Sequence, residues 1–146
     1  MIYEIWRDDI LLSTDPARLD VDAIFAFLKT TYWNGNRTQE RLALGLAHSF
    51  CFGLYHNDAQ IGLTRVVTDF TTTAYLADVY VLPAYQGRGL GKWMIAEVVH
   101  FEPFQDLKNW LLYTRDAHGL YATQGFVTPP DPSRLMVRGR VRPTEA

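Results

Sequence analysis

Residues Val79 to Lys92 read V-Y-V-L-P-A-Y-Q-G-R-G-L-G-K: an apolar strand, a proline break and a glycine-studded basic turn set directly before an amphipathic helix. Gln86, Gly87, Arg88, Gly89, Leu90 and Gly91 bring backbone N–H groups close together. The following helix adds its unpaired N-terminal donors and the positive end of its dipole. At Gly87, Gly89 and Gly91 the main chain can approach a ligand that a Cβ would push away. The stretch is a cradle for phosphates, with Arg88 and Lys92 as its local charge.

The spacing separates the known kinds of phosphate loop. Counting back from Gly91-Lys92, a Walker loop would need Gly where Gln86 stands and a magnesium-binding Ser or Thr where Trp93 stands. A dinucleotide fingerprint from Gly87 fits Gly89 but needs a third Gly or Ala at Lys92. It also needs an acidic ribose partner about 20 residues on, at the end of a second strand. Asp106 is near that distance but falls in a helix-to-strand connection.

Gln86-x-x-Gly89-x-Gly91 after an apolar strand resembles the acyl-coenzyme A loop of the GNAT superfamily of N-acetyltransferases, Gln/Arg-x-x-Gly-x-Gly/Ala. A second stretch, D-A-H-G-L-Y-A-T-Q-G-F from Asp116 to Phe126, resembles that family's later Asn-Ala-x-x-Leu-Tyr-x-x-x-Gly-Phe motif. The resemblance spans about Tyr3 to Met136, and outside the two motifs it rests on element order. It implies an α/β (α+β) fold: a central mixed, mostly antiparallel sheet, splayed at the acyl-CoA site and flanked by about four helices. It implies acetyl-CoA as co-substrate, with no metal. Val79, Tyr80 and Val81 would line the splay and pair with the pantetheine amides, while Gln86, Gly87, Arg88, Gly89, Leu90, Gly91 and Lys92 would hold the phosphates.

Element order agrees. Ile2–Trp6 and Ile10–Leu12 read as a strand or hairpin, followed by a turn at Asp15-Pro16. Asp20 is an N-cap signal, with Leu19 stapling onto Ile24 and Val21, Ile24, Phe25 and Leu28 on one helical face. A second helix is expected from Thr38, with Leu42 and Leu46 inward. Phe50–Tyr55, a turn at Asn57-Asp58, Ile61–Val67, a Thr-rich turn and Ala74–Leu82 read as an antiparallel meander. Leu90, Met94 and Val98 mark the inner face of the helix after the loop. Trp110–Thr114 must then pair in parallel with Ala74–Leu82, because a helix crosses between them. A short helix over Ala117–Gln124, capped by Asp116 and ended by Gly125, precedes a last strand near Arg134–Val137.

At 146 residues, with 48% hydrophobic and 21% charged residues, the chain reads as a single domain over residues 1–146, its core about 3–138 and a flexible tail at 141–146. A net charge of −2 without a Lys/Arg run argues against a nucleic-acid partner. Cys51 is the single cysteine, so an internal disulfide or a Cys-based zinc site is excluded. Glu4, Arg7, Asp8 and Asp9 speak against a secretory signal, and the longest charge-free apolar stretch, Leu42–Tyr55, is too short for a bilayer. A cytoplasmic protein without a membrane partner is expected. The aromatic share would suit a homodimer.

Acetyl transfer to an amine sets the requirements on the site. An ammonium of pKa about 10.4 is neutral in on the order of one molecule per thousand at pH 7, so its proton must be removed. The thioester carbonyl develops negative charge and a thiolate departs, so an N–H near the carbonyl and a proton donor near sulfur are wanted. By the resemblance, Tyr121 occupies the position of the tyrosine that donates to sulfur, and Val81 or a neighbour supplies the N–H. Many family members carry Glu just before the Asp of this strand; here Ala77 precedes Asp78. Asp78, Asp116 and His118 are the candidate bases, against structural readings of Asp78 as a satisfied buried carboxylate and Asp116 as a helix cap.

For the acceptor, a small-molecule or protein amine, the residues to watch are Tyr32, Trp33, Arg65, Asp116 and His118. Trp33 either plugs the core or roofs a pocket. Arg65, in an apolar strand, needs Asp69 or Asp78 as partner, or else binds an acidic acceptor. Cys51 reads as core. The contrasting function is an acyl-CoA-binding sensor with little turnover.

Overall fold

The computed structural model describes residues 1–139; the tail expected at 141–146 lies outside them. Six strands form one open sheet in sequence order: β1 (Glu4–Arg7), β2 (Ile10–Ser13), β3 (Phe50–His56), β4 (Ala59–Thr68), β5 (Thr73–Val81) and β6 (Asn109–Leu112). Neighbours from β1 to β5 pair antiparallel and β5 with β6 parallel. Four α-helices flank it: α1 (Val21–Leu28), α2 (Gln39–Ala47), α3 (Leu90–Val99) and α4 (His118–Ala122).

Local chemistry accounts for most boundaries. Asp20 Oδ1 accepts from the Ala23 N–H at 3.0 Å and Thr38 Oγ1 from that of Arg41 at 3.2 Å, so α1 and α2 begin where their caps stand. Asn57 and Asp58 both take positive φ, 48° and 67°, the tight reversal that matches the twist of β3 and β4. Asp69 accepts from the N–H groups of Thr71, Thr72 and Thr73 and so closes the β4–β5 turn. That use removes Asp69 as a partner for Arg65.

The sheet is packed on both faces. Ile24 and Leu28 of α1 and Leu42 and Leu46 of α2 bury against Cys51, Leu63 and Tyr80. At about 1.5–3 kcal/mol per fully buried aliphatic side chain, those four residues hold the helix pair down. On the other face Leu90, Met94, Ile95 and Val98 of α3 join Phe52, Ile61, Leu76, Phe101 and Phe104, with Tyr121 of α4 at the margin.

Two expectations fail. Asp116 does not cap α4: the Ala117 N–H bonds instead to Thr114 Oγ1 at 2.9 Å, and Asp116 is exposed. Arg134–Val137 is not a strand. A 3-10 turn covers Pro132–Arg134, and Met136 is 92% exposed. An apolar run signals strand only when a neighbour accepts its hydrogen bonds, and among the described residues this one has no pairing partner.

Candidate active site

The parallel pairing of β5 with β6 runs from Thr73 with Asn109 to Leu76 with Leu112, and stops there, while β5 continues to Val81. Beyond Leu76 the two strands part, leaving Val79, Tyr80 and Val81 beside an opening that leads to the glycine turn. Leu82–Tyr85 turns the chain, with the Tyr85 N–H on the Leu82 carbonyl. Gly87 and Gly89 then take φ of 81° and 75°, a left-handed conformation that glycine adopts at no steric cost. Gly89 is the N-cap of α3. Among the described residues, the N–H groups from Gly87 to Lys92 have no protein acceptor. Unpaired N–H groups that converge at a helix N-terminus are suited to an anion.

Gln86 is an exception. Its N–H bonds to the Pro83 carbonyl at 3.2 Å, so it is not a free donor as the spacing suggested. Its side chain instead donates to the Val81 carbonyl at 2.8 Å and braces the turn against the strand. Leu90 buries its side chain in the core, anchoring α3, and can offer only its backbone. Arg88 is exposed over the Tyr85 ring, 5.5 Å from its centroid, and Lys92 is exposed.

Sequence reasoning missed two contributors here. The Arg7 guanidinium reaches across from β1, donates to the Gly89 carbonyl at 3.4 Å and lies 5.9 Å from the Trp93 ring centroid. It adds a third positive charge beside the loop. His56 links Tyr85 Oη at 2.8 Å to Asp9 at 2.9 Å, tying the turn before the loop to the first hairpin. Neither carries a local signal, because each is brought in by sheet pairing.

At the point of divergence β5 carries a bulge. Leu63 pairs with Tyr80 and Arg65 with Ala77, so Thr64 faces both Asp78 and Val79. Asp78 has φ 53°, a left-handed conformation unusual for a non-glycine residue. The bulge turns its carboxylate toward α1 and α2, where Arg37 holds it through two bonds of 2.9 and 2.8 Å and Arg65 Nε through one of 2.8 Å. Burial alone would raise the Asp78 carboxyl, but the two arginines outweigh it and hold it below the ordinary carboxylate range.

A carboxylate so held is a poor proton acceptor, so the reading of Asp78 as base gives way to the structural one. Arg65, which also donates to Ser49 Oγ at 3.1 Å, is likewise engaged and not open to an acidic acceptor. Arg37, which the sequence reading did not single out, fastens the α1–α2 loop to the bulge and also donates to Asn34 Oδ1 at 3.0 Å.

That loop also carries Tyr32 and Trp33, both exposed. Trp33 is 43% exposed and edge-on to Tyr32, which rules out the core-plug reading. The Arg115 guanidinium, from the segment after β6, lies 3.7 Å from the centroid of the Tyr32 ring. Tyr121 is buried, its ring against Phe126. Burial, with a smaller contribution from Tyr32, pushes its phenol up to about 12. His118 and Asp116 are exposed at the start of α4. The Cys51 thiol is pushed up to about 12, chiefly by burial, which leaves it a core residue rather than a nucleophile.

The family model described as an acetyltransferase (GNAT) domain matches residues 47–128, which include the whole meander, the glycine turn and Tyr121. The chain belongs to the GNAT family. A GNAT-family candidate acetyltransferase of Xanthomonas campestris pv. campestris, solved as a crystal structure, superposes with a TM-score of 0.85 at 37% identity, over 90% of this chain and 93% of that one. A curated candidate acetyltransferase of Gibberella zeae is also 37% identical, over 79% of this chain and 77% of its own length. The fold extends to a candidate acetyltransferase of Clostridium acetobutylicum solved with acetyl-CoA, at 15% identity and a TM-score of 0.60, covering 100% of this chain and 99% of that one. As a GNAT protein the chain is an acetyltransferase enzyme. Among its described residues no helix is long and apolar enough to cross a membrane, and no cluster of three or more His, Cys, Asp or Glu side chains could hold a metal.

Proposed function

We propose that this GNAT enzyme transfers an acetyl group from acetyl-CoA directly to an amine. The observation that carries this reading is the parting of β5 from β6 beyond Leu76, directly above a turn whose N–H groups from Gly87 to Lys92 lack protein acceptors. The acetyl-CoA bound to the Clostridium acetobutylicum neighbour supports it. When bound, acetyl-CoA supplies an activated thioester.

The chain's residues have separate tasks. The N–H groups from Gly87 to Lys92 hold the diphosphate, with Arg88, Lys92 and Arg7 supplying charge. Val79, Tyr80 and Val81 line the arm, and the N–H of Val81 or a neighbour stabilises charge on the carbonyl oxygen. As the C–N bond forms and the C–S bond breaks, Tyr121 donates toward sulfur. Its phenol is protonated throughout the neutral range, as an acid at this position must be. With Asp78 held by arginines, the amine proton passes to solvent at the open mouth, beside the exposed His118 and Asp116.

A thiol-release assay with acetyl-CoA over an amine panel tests the reading. Release with at least one amine is expected. Tight acetyl-CoA binding without release for any amine would instead make the protein an acyl-CoA sensor. Tyr121→Phe should lower kcat at least tenfold, about 1.4 kcal/mol, with acetyl-CoA affinity little changed. An unchanged kcat would remove Tyr121 from the chemistry. Arg7→Ala should weaken acetyl-CoA binding by about three- to tenfold without lowering kcat, the size of one exposed charge-assisted contact. Equal affinity in calorimetry would leave Arg7 a mere neighbour of the loop.

A further inference from the structure

Resting on the proposed transfer to an amine, the nature of that amine follows from the groups around the mouth. Arg115 lies with its guanidinium 3.7 Å from the Tyr32 ring centroid. An arginine held through its planar face keeps its N–H groups directed outward at the edge, the arrangement that takes a carboxylate through two parallel bonds. Among the described residues Arg115 has no ion-pair partner; Asp116, next to it in the chain, is exposed and makes none.

Arg37, on the same loop as Tyr32, shares the single carboxylate of Asp78 with Arg65, so this cluster keeps one net positive charge. A polycationic acceptor would meet repulsion here. An acceptor carrying an anion close to its amine would not. The mouth is also aromatic: Tyr32 and Trp33 are 52% and 43% exposed and pack edge-on, and on the adjoining sheet face Tyr75 packs against the exposed Tyr113 with ring centroids 6.0 Å apart. Tyr32 also lies near enough to Tyr121 to contribute to its raised pKa. The Tyr32 phenol that lies under Arg115 is therefore also electrostatically coupled to the proposed proton donor.

We infer that the acceptor is an α-amino-acid-type amine with a flat apolar side chain, its carboxylate held by Arg115 and its side chain set against Tyr32 and Trp33. The carboxylate then fixes the amine beside the acetyl group, and the nearby positive charges favour the neutral form of the amine that attacks.

The test compares L-phenylalanine with phenethylamine, which share ring and amine and differ only in the carboxylate. Their affinities for the full chain, with and without coenzyme A, are read from tryptophan fluorescence and calorimetry, so no turnover is required. Phenylalanine should bind at least tenfold more tightly. Arg115→Ala should bring the two within twofold of each other while acetyl-CoA affinity and thermal unfolding stay at wild-type values. Arg115→Lys, which keeps the charge but not the fork, should fall between. Equal affinities, tighter binding of phenethylamine, no detectable binding of either, or a preference that survives Arg115→Ala would each overturn the inference. Loss of the proposed acetyl transfer shows itself elsewhere, as absent acetyl-CoA binding or absent thiol release across the panel.

Discussion

Asp78→Ala should destabilise the folded protein by about 3–5 kcal/mol, because it leaves Arg37 and Arg65 facing one another with no carboxylate between them. The Asp78 side chain is only 3% exposed, so solvent can do little to replace it. The substitution also puts a residue without a local polar side chain at φ 53°. Asp78→Asn separates the two contributions: it tolerates the left-handed backbone and keeps some hydrogen bonds but loses the charge, so it should cost less than Asp78→Ala. Urea unfolding followed by tryptophan fluorescence reads the difference. If both variants unfold within about 0.5 kcal/mol of wild type, the buried cluster has no structural role.

The same cluster sets an acid dependence of known sign. The folded-state pKa of Asp78 is depressed, so its contribution is fully present above the unfolded carboxylate value of about 3.9 and is lost as pH falls through the folded value. The stability gap between wild type and Asp78→Asn should therefore be constant near neutral pH and shrink below about pH 4. A gap that stayed constant to pH 2 would show that Asp78 acts through shape rather than charge.

Gly89→Val should weaken acetyl-CoA binding at least a hundredfold. A Cβ built at Gly89 meets only the Arg7 guanidinium, at 3.8 and 3.9 Å, so crowding inside the protein is not the reason. The backbone is: φ 75° is a conformation that a β-branched residue avoids, at a cost of about 1–3 kcal/mol. Valine would swing the turn out of its curve and set two methyl groups where the N–H groups converge. Gly91→Ala is the control, since its Cβ would meet Val81 at 3.9 Å, an ordinary contact. It should bind acetyl-CoA within threefold of wild type by calorimetry. Retained affinity in Gly89→Val would sink the assignment of the loop.

What could be read from the residues follows from how local each signal is. The caps at Asp20 and Thr38, the Asn57-Asp58 reversal and the cradle at Gly87 and Gly89 are each made by a few neighbouring residues, so their chemistry shows in the chain itself. The parallel placement of β6 followed from the crossing helix α3. The last strand at Arg134–Val137 did not form because apolar character is local and a pairing partner is not. Asp116 does not cap α4, which begins without a side-chain cap; the N–H of Ala117 just before it goes to Thr114 Oγ1.

The acceptor side shows the other case. Arg37 and Asp78 are 41 residues apart, and Arg7 and Gly89 are 82 apart. By itself the chain determined its family, the glycine turn before α3 and the tyrosine at the second motif, because glycine backbone freedom and motif spacing are written residue by residue. Only the tertiary structure decided that Asp78 is clasped by Arg37 and Arg65, that Arg65 is thereby engaged, and that Arg115 lies over the exposed Tyr32. A bulge that turns one carboxylate toward α1 and α2, and a loop held down by a distant arginine, depend on which strands and helices meet, and no single stretch of sequence contains that meeting.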